Sequence, residues 1–409
     1  MSALWLMSLL AASPVAFENV RVEVGDGTVL ERTTVVLQGG RIASVGAERI
    51  PAGALRIDAR GKVLTPGLID ARTQIGLAEV GLEKSANDER LRGMPISPAF
   101  RAADAFNPAS VWIPVAREEG VTRAVVAPSG GILSGSGHWV DLTGNVGSAP
   151  DPTQPVALFG AVGSGAAEAA LGSRGGLWMR LREVIADARF FARNRVAFER
   201  NQSRLLSLPL LQLEAVQPVL DGRVPLVLEA QRVSDILAAL ELARAERIRL
   251  VLAGGAESWK VADRIAAAGV PVILTPSAQM PISFDALAAR DDLAALLDRA
   301  RVRVVISAGG RDIRRLRQEA GIAVAYGLPR ERALAAITLA PAEAYGRSDV
   351  GTIAPGKRAD VVLWSGDPLE LSTVAERIFI DGNEQPLDTR QRRLVERYRG
   401  TGGGAARAP

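Results

Sequence analysis

Between residues 64 and 348 this chain alternates apolar runs of strand length with helical patterns, and that alternation constrains its fold more than any other feature. The apolar runs fall at 121–127, 156–161, 225–230, 248–253, 270–275 and 302–307. Parallel strands covered on both faces read as such near-continuous apolar stretches. The segments between them read as helices. One takes Asn107 as its N-cap, Pro108 as its first residue and Gly120 as its stop. A second covers 234–245, with Ile236, Leu237 and Leu240 on one face. Others cover 257–268, 285–300 and 312–326. A strand–helix repeat of this extent predicts an α/β fold, a (β/α)8 TIM-type barrel, for which about 250 residues is typical. A doubly wound sheet is the alternative. It is disfavoured because no Gly-x-Gly-x-x-Gly follows a strand.

The two ends differ from the middle. Val20, Val22 and Val24 alternate with Arg21 and Glu23, as in a half-buried strand. Gly25-Asp26-Gly27 reads as a turn, 33–37 as a second strand closed by Gly39-Gly40, and 41–45 as a third. A matching set occurs at 359–364 and 377–382. The expectation is one small β-sandwich domain built from both chain ends, 17–65 plus 349–390, around a barrel of 66–348. The tail at 399–409, with Gly402-Gly403-Gly404, is expected to be disordered.

A chain of 409 residues, 48% of them hydrophobic, can bury a large core. Its formal charge is +4, its basic residues are scattered and aromatics make up 4%, so nucleic-acid binding is not expected. There is no cysteine, hence no disulfide and no thiolate chemistry. The apolar stretch at the N-terminus is shorter than the roughly 20 residues a bilayer span needs. It suits the hydrophobic region of a signal peptide over 1–16, ending at Pro14-Val15-Ala16. This predicts a periplasmic or secreted protein. The competing reading is a buried first element in a cytoplasmic one. No other segment is a membrane-span candidate.

Three segments resemble one family. Val63-Leu64-Thr65-Pro66-Gly67-Leu68-Ile69-Asp70-Ala71-Arg72-Thr73-Gln74 resembles the first barrel strand of the amidohydrolase superfamily. Gly351-Thr352-Ile353-Ala354-Pro355-Gly356-Lys357-Arg358-Ala359-Asp360-Val361-Val362-Leu363, followed by Ile380-Asp381-Gly382, is very similar to its C-terminal signature. The run 333–342 looks like the helix before that return. Together they suggest the imidazolonepropionase-like branch of metal-dependent hydrolases. The resemblance implies a barrel and zinc or another divalent metal held by histidines, an aspartate and often a carboxylated lysine. Metal-bound hydroxide then attacks a C–N carbon.

This chain departs from that pattern where it matters most. The family's His-x-His pair is Arg72 and Gln74, and the whole sequence has one histidine, His138. The resemblance places further ligands at Glu229, Ala253 and near Ala308, and no lysine sits where carboxylation would serve. No metal or other cofactor is therefore expected. Arg72 and Gln74, two apart on a strand, share a face. They suit a polar pocket or, as the preferred reading, a network filling the vacated site. An arginine there would favour a small anionic ligand. Glu229 is a candidate base or ligand, with a salt bridge to Arg72 preferred. His138 lies in the Gly/Ser-rich run 128–139, read as a loop at the barrel mouth. A Ser–His pair with Ser134 or Ser136 is conceivable there, and plain loop flexibility is preferred. Asp70 is expected to bond the turn after its strand. Asp88, Glu89, Arg101 and Asp104 fall in a long loop, a lid or a partner surface. The expected function is a catalytically degenerate homologue acting as a binding or partner subunit, paired with an active relative or with its own copies. The alternative is a hydrolase of C–N bonds with an atypical or metal-free site.

Overall fold

The computed structural model describes residues 13–399 except 48, 170, 171 and 201. The expected tail from residue 400 on, and residues 1–12 of the expected signal, lie outside that range. The chain opens with β1 (Val15–Glu23), β2 (Val29–Gln38), β3 (Arg41–Val45), β4 (Leu55–Asp58) and β5 (Val63–Pro66). Then come β6 (Leu68–Thr73), β7 (Val121–Val126), β8 (Leu133–Asp141), β9 (Ala157–Ala161), β10 (Leu226–Ala230), β11 (Leu250–Gly254), β12 (Val272–Leu274) and β13 (Val304–Ile306). It closes with β14 (Val361–Trp364), β15 (Ala375–Ile380) and β16 (Asn383–Glu384).

Both chain ends build one sheet, ordered β16-β15-β14-β5-β1-β2-β3, with β4 also paired to β1. β2 takes one edge of β1. β4 pairs with residues 15–18 and β5 with Arg21 and Val22 along the other. The change of partner falls at Asn19, whose φ is +58°, beside a register shift between Phe17 and Val20. The two layers of the expected sandwich are thus one continuous sheet. Phe17, Val22, Leu37, Leu64, Val361 and Phe379 meet in its core. β1 begins at Val15 rather than Phe17, and Ala16 is fully buried. A cleavage after Ala16 would cut into a paired strand.

β6 to β13 lie side by side in chain order and nearly close a barrel. Val125, Phe159, Val227, Val251, Ile273 and Val305 face its lumen. Their neighbours, such as Val126, Leu228, Leu252 and Ile306, pack outward against helices. Burial of alternate residues on opposite faces is why these runs are apolar throughout. The seam between β6 and β13 is closed by single bonds. Gln74 N and Thr73 Oγ1 both donate to Gly310 O, at 2.8 and 2.7 Å.

The Pro-Gly step of the first motif marks the passage between domains: Pro66 ends β5 and Leu68 starts β6. A Cβ on Gly67 would lie 2.1 Å from Thr122 Oγ1, so no side chain fits where the barrel meets the sheet. The C-terminal signature supplies the bond between domains. Arg123 on β7, 1% exposed, is chelated through Nε and Nη2 by Asp360, with Asp141 on Nη1 and Asp381 sharing Nη2. Burial pulls its pKa down, and the three carboxylates more than reverse that.

The barrel departs from a strict strand–helix repeat at its third strand. β8 is antiparallel to both β7 and β9. The Gly/Ser-rich run expected as a loop is mostly this strand. Its glycines are there for close packing: a Cβ on Gly137 would meet Phe159 Cε2 at 2.3 Å. Helix ends also shift. Asn107 accepts from Ala109 N at 3.0 Å, yet the helix starts at Trp112 and ends at Glu118. The helix expected over 285–300 is confined to Leu293–Arg299. The run 333–342 holds two short helices, Arg330–Ala336 and Leu339–Ala344, broken at Thr338, whose ψ is −80°. The longest helix, Arg174–Glu199, lies between β9 and β10.

Candidate functional site

A cavity of about 860 Å³ opens at the C-terminal ends of the barrel strands. This is the end of a (β/α)8 barrel where strand tips and following loops converge. Arg72, Gln74, Glu229 and Ser307 all line it.

Arg72 and Glu229 come from strands remote in sequence and form an ion pair, with Arg72 Nη2 2.6 Å from Glu229 Oε2. Glu229 faces the lumen because Val227, two residues earlier, does. The Arg72 guanidinium holds the Glu229 carboxyl below the usual carboxylate range, against the opposing effect of burial. Glu229 is therefore an ionised, committed partner, poorly suited to act as a base at neutral pH. Its charge also cancels that of Arg72, so Arg72 alone gives the cavity no preference for an anion. Gln74, just past the end of β6, donates weakly to Ala127 O at 3.4 Å.

Ala253 faces the lumen, fully buried beside Glu229, its register partner on β10. Ala308 does not face the cavity. It packs with the outward-facing core, and Ser307 occupies the lumen side instead. A one-residue shift on a strand reverses the face, which accounts for the difference. Ser307 Oγ donates to Asp70 Oδ1 at 2.7 Å, and Ala308 N donates to Asp70 Oδ2 at 2.9 Å. Arg72 N donates to Asp70 at 3.0 Å. Asp70 is fully buried, and burial pushes its pKa up to about 6 despite these three donors. The expectation that it bonds the turn after its own strand is not met: Arg72 lies within β6 and the other two donors directly follow β13, so Asp70 ties β6 to β13 instead.

His138 is not at the mouth in a loop. It sits on β8, paired with Val126, whose side chain faces outward from the barrel. It is fully buried, with Nε2 3.4 Å from Pro152 O and Nδ1 unpartnered. Burial lowers its pKa, so the imidazole is neutral. Ser134 Oγ donates to Gly130 O and Ser136 Oγ to Phe100 O, so neither serine is bonded to His138. The conceivable Ser–His pair is not assembled.

The residues present do not fit a catalytic metal. The positions that the resemblance assigns to metal ligands offer one carboxylate, Glu229, already paired with a guanidinium. Asp70 already accepts from three donors, and Asp285 on the cavity wall accepts from Ser164 N at 2.6 Å and pairs with Arg174. Among the described residues no group of three or more His, Cys, Asp or Glu is placed to hold a metal ion. A tight zinc site needs three or four donors.

Several cavity residues escaped the sequence reading. Asp285 and Arg174, with Asp235 3.1 Å from Arg174, form a rim cluster from three separate segments. Arg90, on the long loop, also reaches the cavity. No local pattern signals such long-range pairings.

Comparison with known proteins agrees with this architecture. Residues 235–388 match the model of the amidohydrolase family. An imidazolonepropionase from Cereibacter sphaeroides is 25% identical over 398 residues, covering 87% of this chain and 94% of that one. Amidohydrolase tasK from Hapsidospora irregularis is 43% identical over 61 residues, 15% of this chain and 6% of that protein. This chain therefore spans a small part of that relative. The crystal structure of an amidohydrolase from Thermotoga maritima MSB8 superposes with a TM-score of 0.82 at 26% identity, over 90% of this chain and 99% of that one.

Proposed function

Because the chain belongs to the amidohydrolase superfamily, we propose that it is a catalytically degenerate member, a binding or partner subunit that keeps the barrel and its mouth cavity without metal-dependent hydrolysis. The observation that carries this reading is the Arg72–Glu229 ion pair at the mouth. A guanidinium is a permanent cation and repels a divalent metal where the family's first-strand ligands would sit. Activating water through a metal lowers its pKa from 15.7 to about 7, which is worth up to about 12 kcal/mol. Nothing lining the cavity supplies a replacement of that size. A partner for such a subunit is an active relative or a second copy of this chain.

A second reading, a hydrolase of C–N bonds with an atypical or metal-free site, draws on one feature: the cavity has a volume of about 860 Å³. Cavities of 300–1,000 Å³ accommodate small molecules. One experiment separates the two. Elemental analysis of the purified protein after incubation with zinc or manganese should read well below one metal per chain. Amides, lactams and dipeptides should not be hydrolysed, with or without added metal, whereas hydrolysis in either case would favour the second reading. A full equivalent of metal, lost together with hydrolysis in Glu229→Ala, would replace the first reading by the second.

A further inference from the structure

Next to the mouth lies a second pocket of about 530 Å³, lined by Lys84, Glu89, Arg90, Arg92 and Arg311 among others. Four cations thus face one carboxylate. Among the described residues none of the four has an ion-pair partner, although most arginines of this chain do. Like charges gathered in a concavity repel one another and focus a positive field, an arrangement that an anion relieves.

The pocket is built rather than incidental. Asn87 Nδ2 donates to the carbonyls of Val80, Gly81 and Glu83 and so shapes the loop that carries three of the cations. That loop is fastened at both ends by backbone bonds, Asp88 N to Leu77 O at 2.8 Å and Ser129 N to Glu89 O at 2.9 Å. Arg311 arrives from beyond β13 and lies 5.5 Å over the Trp112 ring. Trp112 is itself pinned by Nε1 to Glu79 O at 3.0 Å. A Cβ on Gly81 would come within 3.0 Å of Arg311 Nη1, so a small residue makes room for the guanidinium. The Arg311 Nε is buried with no partner. Arg90 belongs to both this pocket and the main cavity.

We propose that this pocket binds the oxyanion groups of a small polyanion, phosphate or carboxylate, whose remainder extends past Arg90 into the main cavity. Guanidinium groups match both oxyanions with paired N–H donors, and several together select for more than one negative charge. The proposal does not depend on whether the barrel holds a metal.

Isothermal titration of the full chain at low ionic strength with pyrophosphate, and separately with citrate, tests it. At least one probe should bind, more weakly as salt is raised. The exposed double variant Arg90→Gln/Arg92→Gln should lose about tenfold or more in affinity at an unchanged melting temperature, since it removes two of the four cations that focus the pocket's positive field. The stronger probe identifies the oxyanion. Absence of heat with both probes at millimolar concentration would overturn the proposal, as would equal affinity in the double variant.

Discussion

Ser307 Oγ donates to Asp70 Oδ1 across 2.7 Å, joining the last barrel strand to the first where no backbone ladder closes the sheet. Asp70 also receives two backbone amides, so one carboxylate organises the seam.

The state of Asp70 makes the seam sensitive to pH. Its folded pKa, about 6, lies above its ordinary value of 3.8. The protonated form is thus favoured in the folded chain. The stabilising effect is complete below about pH 4 and is lost as pH rises through 6, by up to about 3 kcal/mol. Urea midpoints of the native protein, compared with Asp70→Asn between pH 4 and 7, should show this extra loss in the native protein alone. Parallel curves for the two would contradict it.

Breaking the mouth ion pair should have a modest cost. The Arg72 and Glu229 side chains are 23% and 39% exposed, so solvent screens them. A double-mutant cycle with Arg72→Met and Glu229→Gln should give a coupling of about 1 kcal/mol or less. Chemical denaturation provides the measurement, and a coupling several times larger would mean a drier site.

Arg123 should behave very differently. Its guanidinium is 1% exposed and serves three aspartates. Arg123→Met leaves Asp360 buried with its charge uncompensated, at a cost of roughly 3–5 kcal/mol. Thermal melts should show a large drop or failure to fold. A melting point within a degree or two of the native value would refute the role assigned to the signature aspartate.

Export remains our proposal for the apolar N-terminus, with a revised boundary. Val15 pairs with Leu37 and Ala16 with Val36, both inside the sheet. Removing them would strip buried apolar residues from β1. Mass spectrometry of the protein from its native cell should find a mature chain starting at or before Val15. An intact Met1 would argue for retention in the cytoplasm.

Much of the architecture could be read from local pattern. Runs such as 225–230 and 248–253 announce strands buried on both sides, because a lumen and a ring of helices each demand apolar side chains. The shared sheet of the two ends follows from alternation at Val20 and Val22 and from the return at 359–364. The single histidine already bears on the chemistry, whatever the alignment. What local pattern leaves open is any feature fixed by residues far apart in sequence. The run 128–139 is rich in glycine and reads as loop, yet it is a strand, because Phe159 presses against Gly137 and leaves no room for a side chain. Ala308 and Ser307 exchange faces through one residue of register. Arg90, Arg92 and Arg311 become one field through a loop shaped by Asn87. Pattern along the chain records which faces are buried. Which charges end up within reach of one another depends on how the barrel closes.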